Sequence, residues 1–413
     1  MPEDPVLDEI EGFFSNANNG NSRKLIRTAE EILKGDISFS GIHDEKIHMP
    51  FSIDDYISGI PEMNLLMARL EIPRILLAAY EVSGNDKFLI ATCDMISSFA
   101  SYEKNMILPK GLIWNDHAIA ERISVLAKFW KYYRRHRTFN TEAGKAVLLL
   151  VSRSGRLLSK PSHFTFASNH GIMQNLALLQ ICIAFPAIPN VNLYKETSLD
   201  RMSDQMKYYV NNEGIVLEHS AGYQRAGIKF MGMLFQYLTS LNIKIPDEWQ
   251  GKYENAKLFY AQLRRPDGSL PMYGDTAYWK DSLGPPIVET DPKGKIKDLS
   301  YHQDWRPLYD QSLYPVAGYS IWWDGLGHWP DDNELSQTSI VWSYFPGHAH
   351  KHADEMSVLI YAKGHSWWTN TGYWSYGNKN RSKAISWNGS NAPHLVNEDA
   401  ESNRVTNLNC YVS

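Results

Sequence analysis

Between residues 22 and 265 the apolar positions recur mostly at three- and four-residue steps, and clusters of Gly, Pro and Asn interrupt them every 20 to 30 residues. The interruptions fall at Pro61, Gly84-Asn85, residues 109–111, Phe139-Asn140, Lys160-Pro161, residues 186–190 and 211–214, Pro246 and residues 266–268. The spacing predicts about ten consecutive helices. In residues 62–80, Leu65, Leu66, Leu70, Leu76, Leu77 and Tyr80 follow the helical period, and Gly84 supplies a stop. Pro73 predicts a kink within that segment or a break just before it. After about residue 315 the period changes. Segments 319–323, 338–345, 356–362 and 366–371 are short, rich in β-branched and aromatic residues, and bounded by turn formers, which predicts an antiparallel meander.

The segment 283–304 holds Gly284-Pro285-Pro286, Pro292, Gly294 and alternating charges, and reads as a linker or crossing loop. The chain therefore divides into an all-α domain over 1–282, a linker over 283–315 and an antiparallel β domain over 316–413. The last readable strand, 407–412, has nothing after it to close the sheet, so the β domain is expected to be small or truncated. There is no convincing internal repeat, although helical hairpins close into rings without one.

Composition narrows the class. The chain is 43% hydrophobic and 21% charged, with 41 basic against 46 acidic residues and a net charge of -5. That balance excludes disorder, collagen and a polybasic nucleic-acid binder. Aromatic residues make up 12%, and flat rings with a polar tip stack on sugar faces as well as filling cores. Cys93, Cys182 and Cys410 are too far apart for a disulfide framework or a CxxC pair. No apolar run reaches about 18 residues, so no membrane span is expected. The acidic start carries no signal-peptide pattern, which predicts a cytoplasmic protein, or a periplasmic or secreted one whose signal has been removed.

Four constellations carry candidate chemistry. In Gly347-His348-Ala349-His350-Lys351-His352-Ala353-Asp354, an extended backbone would put three imidazoles and a carboxylate on one face, as a metal site, a catalytic floor or a solvated loop. Asn169-His170 opens an apolar helix, where an amide and an imidazole hold a carboxylate and take a proton, or Asn169 simply caps the helix. Glu218, His219 and Tyr223 would share one rim of the helical domain, with a buried structural role as the other reading of Tyr223. Trp114-Asn115-Asp116-His117 with Arg122, and Gly274-Asp275-Thr276, fit a sugar-binding rim, or a helix cap with an ion pair.

Taken together, Asn-His-Gly, Glu-x-Ser-x-x-Tyr, Gly-Asp-Thr and His-x-His-x-Asp, in that order across a helix-to-strand switch, resemble the heparinase II/III-like superfamily of polysaccharide lyases over residues 114–391. The resemblance implies an α+β multidomain protein: an incomplete α/α toroid followed by an antiparallel β-sandwich, with the active site in the cleft between them. It implies β-elimination on an acidic, uronate-containing polysaccharide. Tyr223 matches the catalytic acid, which in some members is also the base, and His170 matches a base acting from the other face of the sugar. Asn169 and His350 match the groups that neutralise the uronate carboxylate. Trp114, Asn115, His117, Arg122, Glu218, Asp275 and His348 are the substrate-binding candidates. Neutralising the carboxylate is what makes the C5 proton acidic, and a phenol beside a cationic cluster is expected to have its pKa lowered.

No cofactor is required by this chemistry. Members with structural zinc resemble a pattern of which His352 fits the first position, but Asn370 stands where the carboxylate belongs and Ser390 where the next histidine belongs. An amide and a hydroxyl are poor zinc ligands, and His394 is the candidate replacement. The other enzyme reading is an α/α-barrel glycoside hydrolase using Glu218 and Asp275 as a carboxylate pair. The non-catalytic reading is a protein that binds acidic glycans or accompanies exopolysaccharide synthesis.

Overall fold

A computed structural model describes residues 22–39, 43–46, 61–107, 112–277, 287–290, 296–299, 306–342, 350–376, 378–396 and 398. It divides into two compact units, Met1–Gln205 with Ser240–Asn242, and Met206–Thr239 with Ile243–Ser413.

The first unit is helical. Its helices are α1 (Ser22–Leu33), α2 (Pro61–Ala68), α3 (Glu71–Ser83), α4 (Asp86–Asn105), α5 (Asp116–Tyr133), α6 (Thr141–Ser159), α7 (Asn169–Ala184) and most of α8 (Val191–Tyr209). The expected 62–80 helix is two helices, because Leu70 adopts φ 62 and ends α2. Pro73 therefore sits in the first turn of α3, where a missing N–H costs nothing. Gly84, at φ 64, closes α3 by donating its N–H to the Tyr80 carbonyl. Asn85, Asn115 and Asn140 cap α4, α5 and α6 by accepting backbone N–H groups on their side-chain oxygens. Helices α1 to α4 meet through Ala29, Ile32, Met63, Met67, Ile72, Leu76, Phe88 and Met95. Helix α7 is buried all round from Gly171 to Ala184, which is why its sequence is apolar on every face.

The second unit contains α9 (Ala221–Ser240, except its last residue), α10 (Asp247–Leu263), a sheet and the short α11 (Arg381–Ile385). Strands β5 (Gln311–Tyr314), β6 (Tyr319–Asp324), β7 (Ser336–Val341), β8 (Ser357–Ala362) and β9 (His365–Trp368) form one antiparallel five-stranded sheet in sequence order. Registers such as Tyr319↔Val341 and Val341↔Ser357 stack one face of the central strands. Burial alternates strictly along β7 and β8, so that face packs on α9 and α10 through Ile215, Ala221, Phe259, Leu263, Tyr273, Ile321, Trp323 and Leu359. The four residues of edge strand β9 are all exposed.

Two hairpins stand outside this sheet: β1 (Asp36–Phe39) with β2 (His43–Lys46), and β3 (Ile287–Thr290) with β4 (Ile296–Leu299). The segment expected as an irregular linker thus contains a hairpin. The expected strand at 407–412 and His348 lie outside the described residues. Among the described residues no helix is long and apolar enough to cross a membrane.

Candidate active site

In the second unit, two of the sequence motifs fold against each other. Ser220 leads into α9, and its Oγ lies 3.0 Å from Thr276 Oγ1, which also accepts the Gly222 N–H at 3.2 Å and donates to the Tyr273 carbonyl at 2.6 Å. The Glu-x-Ser-x-x-Tyr and Gly-Asp-Thr runs therefore lock the first turn of α9, and with it Tyr223. Gly274 lies between them at φ 52, where an added Cβ would stand 2.3 Å from the His219 carbonyl and 2.7 Å from that of His350. Its N–H is taken by Asp354 and that of Asp275 by the His350 carbonyl, each at 2.9 Å.

This packing delivers Asp275 as a hub. Its Oδ2 lies 3.0 Å from His350 Nδ1, accepts the Tyr376 hydroxyl at 3.0 Å and accepts Arg381 Nη2 at 2.9 Å; its Oδ1 lies 2.9 Å from His352 Nε2. The carboxylate has no exposed side-chain surface. Burial pushes its pKa up, but the hydrogen bonds from His350, His352 and Arg381 outweigh that and hold it well below the usual carboxylate range. With Nδ1 turned to Asp275, His350 has its ring plane fixed and presents it to Tyr223, the two ring centroids being 3.6 Å apart and the planes 19° from parallel. The Arg381 guanidinium also lies over the Tyr376 ring, 4.0 Å from its centroid.

The Tyr223 phenol departs from expectation. Burial, the neighbouring Tyr376 and the Glu218 and Asp275 carboxylates all push its pKa up, so it is held protonated. The expected lowering by cations fails because burial of the phenol dominates, and the neighbouring Tyr376, Glu218 and Asp275 push the same way.

Three substrate-binding candidates are corrected by burial. Glu218 is 4% exposed and accepts the Tyr209 hydroxyl at 3.4 Å. Asp275 spends both oxygens on protein donors. Arg122 is wholly buried in the first unit, where Nε donates to Ser154 Oγ, Nη1 donates to the Ile113 carbonyl, and desolvation lowers its pKa to about 10.

The first unit gathers the remaining candidates. His170 and His117 stack with centroids 4.8 Å apart. His170 Nδ1 lies 3.2 Å from Asp116 Oδ2, which also accepts the Thr165 hydroxyl at 2.6 Å, and His117 Nε2 lies 3.3 Å from Glu121 Oε1. Burial raises the Asp116 pKa, but the hydrogen bonds from His170 and Thr165 win and hold it ionised. Asn115 is the α5 cap, and half-buried Trp114 immediately precedes it. Asn169 is the first residue of α7, and Ser168 occupies the cap position, so the capping reading of Asn169 is set aside.

Sequence reasoning missed Tyr376, Arg381 and the orienting role of Asp116. Asp116 sat inside a quoted motif. Tyr376 and Arg381 reach Asp275 from 101 and 106 residues away, with no local pattern to mark them.

The zinc pattern does not fit. Asn370 Oδ1 accepts the Asn391 N–H at 2.9 Å and its amide nitrogen donates to Ser357 Oγ at 3.0 Å, while His394 Nδ1 faces the Ala392 carbonyl at 2.9 Å. The Asn370 amide is thus committed to neutral hydrogen bonds, where the zinc pattern calls for a carboxylate. Among the described residues no group of three His, Cys, Asp or Glu side chains is placed to hold a metal ion.

A helical region with a histidine–tyrosine pair entering an antiparallel sheet defines the class, and comparison with known proteins gives the family. Residues 59–283 match the heparinase II/III N-terminus and residues 306–408 the heparinase II/III-like C-terminal domain, so the chain belongs to the heparinase II/III family. Among solved structures it is similar to heparan sulfate lyase HepC from Pedobacter heparinus (TM-score 0.62, 16% identity) and to a heparinase III (TM-score 0.69, 16% identity). Each likeness covers 92% of this chain but only 62% and 64% of those structures. It shows the fold, an α/α toroid followed by a β domain. Among curated proteins there is no match to the sequence.

Proposed function

We propose that the protein is a polysaccharide lyase that cleaves uronate-containing glycans by β-elimination. The observation that carries the reading is the Tyr223–His350 stack, with the phenol held protonated and the imidazole oriented by Asp275. In this reaction a base removes the C5 proton of a uronate, the electron pair forms the C4–C5 double bond, and the C4–O bond breaks with a proton passing to the departing oxygen. A phenol that stays protonated suits the last step, so Tyr223 is assigned the acid role. His170, backed by the Asp116 carboxylate, is assigned the base. His350 and Asn169 hydrogen-bond the uronate carboxylate and relieve the charge that builds up as the proton leaves. His117 and Trp114 contribute to sugar binding. His352 supports Asp275 and is not assigned to zinc.

The substrate is an acidic polysaccharide. Heparan sulfate is the first candidate, since the similar HepC is named as a heparan sulfate lyase. The hydrolase reading loses support because Glu218 is buried and Asp275 is saturated with donors, leaving neither to flank a glycosidic bond.

The test follows the absorbance of the conjugated enoate with heparan sulfate, hyaluronan, chondroitin and alginate. A rise that disappears in Tyr223→Phe supports the reading. Reducing ends released without the absorbance, or binding with no cleavage on any of these polymers, would replace it with the hydrolase or the glycan-binding reading.

A further inference from the structure

Beside Tyr223 the second unit contains a cavity of about 160 Å³, an order of magnitude more than the ~10–15 Å³ that one water needs. Among the described residues that line it, Gly222, Ala226, Gly268 and Ala277 are small and leave space that larger side chains would fill, and Leu270 adds an apolar side chain. Arg225 also lines it. Among the described residues no carboxylate pairs with Arg225. The nearest carboxylate in the lining, Asp275, is already met by Arg381 and two imidazoles. A guanidinium that meets no carboxylate among the described residues, at a roomy cavity also lined by Tyr223, the ring stacked on His350, is suited to an oxyanion, which it can grip with two parallel N–H bonds.

We infer that this cavity is an anion subsite in which Arg225 recognises a sulfate ester or carboxylate on the sugar flanking the cleaved uronate. The inference rests on the lyase reading for its place in the reaction. It makes the enzyme selective for glycans charged on both sugars across the cleaved bond, over those charged only on the uronate.

Binding is measured by calorimetry with the full chain in a His170→Ala background, so that ligand is not consumed. Three tetrasaccharides serve as probes: one from heparin, sulfated on the flanking sugar; one from alginate, with a carboxylate on every sugar; and one from hyaluronan, with neither group on the flanking sugar. Arg225→Gln is expected to weaken the heparin or the alginate probe about tenfold or more, the loss of a charge-assisted contact, while changing hyaluronan less than about twofold. The probe that loses affinity identifies the anion as sulfate or carboxylate. Arg225→Lys should recover part of the loss, and an unchanged melting temperature shows that both variants are folded. Equal weakening of all three probes, no weakening of any, or no binding by the parent protein would overturn the inference. Failure of the lyase reading shows separately, as absent enoate absorbance from the unmodified chain even where binding discriminates between the probes.

Discussion

The ring of Tyr223 lies on the ring of His350, centroid to centroid 3.6 Å, although 127 positions separate them in the sequence. The contact needs the ring and not the hydroxyl. Tyr223→Phe should therefore keep the fold and the stack, leave the melting temperature within a degree or two, and lower the rate of enoate formation by about 10²- to 10⁴-fold, the range of a lost general acid.

Asp275 gathers four donors on one carboxylate. Asp275→Ala should destabilise the second unit by about 3–5 kcal/mol in denaturant unfolding, because Arg381 loses a buried counter-charge and His350, His352 and Tyr376 lose their shared hydrogen-bond partner. The pH dependence follows from its depressed pKa. The carboxylate stabilises fully above its ordinary 3.8 and loses that contribution as pH falls below it toward the folded value. Stability should drop steeply on acidification below about pH 4, and Asp275→Asn should flatten that part of the curve.

Asp116 fixes the orientation of His170. Asp116→Asn keeps an acceptor but removes the charge and permits the wrong ring tautomer. Its kcat is expected to fall about 10- to 100-fold with KM little changed, a split that distinguishes lost orientation from lost substrate binding.

Gly274 has no room for a side chain. Gly274→Ala forces a Cβ onto two carbonyl oxygens from a left-handed backbone, at a cost of about 2–4 kcal/mol. Thermal unfolding and activity should fail together, since the same loop carries Asp275.

We propose that zinc does not enter this network, because the Asn370 amide, standing where the pattern needs a carboxylate, is taken up by Ser357 and the Asn391 N–H. Dialysis against a strong chelator should leave both melting temperature and enoate rate unchanged; a loss restored by added zinc would contradict the assignment of His352.

The elements were legible because each carries its own local signal. Asparagine caps, Gly84 and the apolar period mark the helices, and the alternation in β7 and β8 marks a sheet with one buried face. Tyr223, His170 and His350 were singled out because each lies in a short motif, and the structure stacks Tyr223 on His350 and sets His170 against Asp116. The direction of charge at the site was not legible. Whether Asp275 faces a sugar or four protein donors depends on where residues 350–381 pass, and no spacing near 275 records that. Arg122 misled for the same reason: an arginine one turn beyond a Trp-Asn-Asp-His run looks surface-bound until Ser154 and the Ile113 carbonyl enclose it.

The four groups on Asp275 come from 75, 77, 101 and 106 residues further along the chain. Contacts of such separation require long loops to close before they contribute any stability, so they form late and slowly compared with helical turns. During refolding, helical signal should therefore return well before the fixed Tyr223–His350 geometry, and a chain that is helical by circular dichroism will still lack that contact. The fixed Tyr223–His350 contact thus reports completed non-local assembly of the second unit, a more stringent measure of the native state than secondary structure.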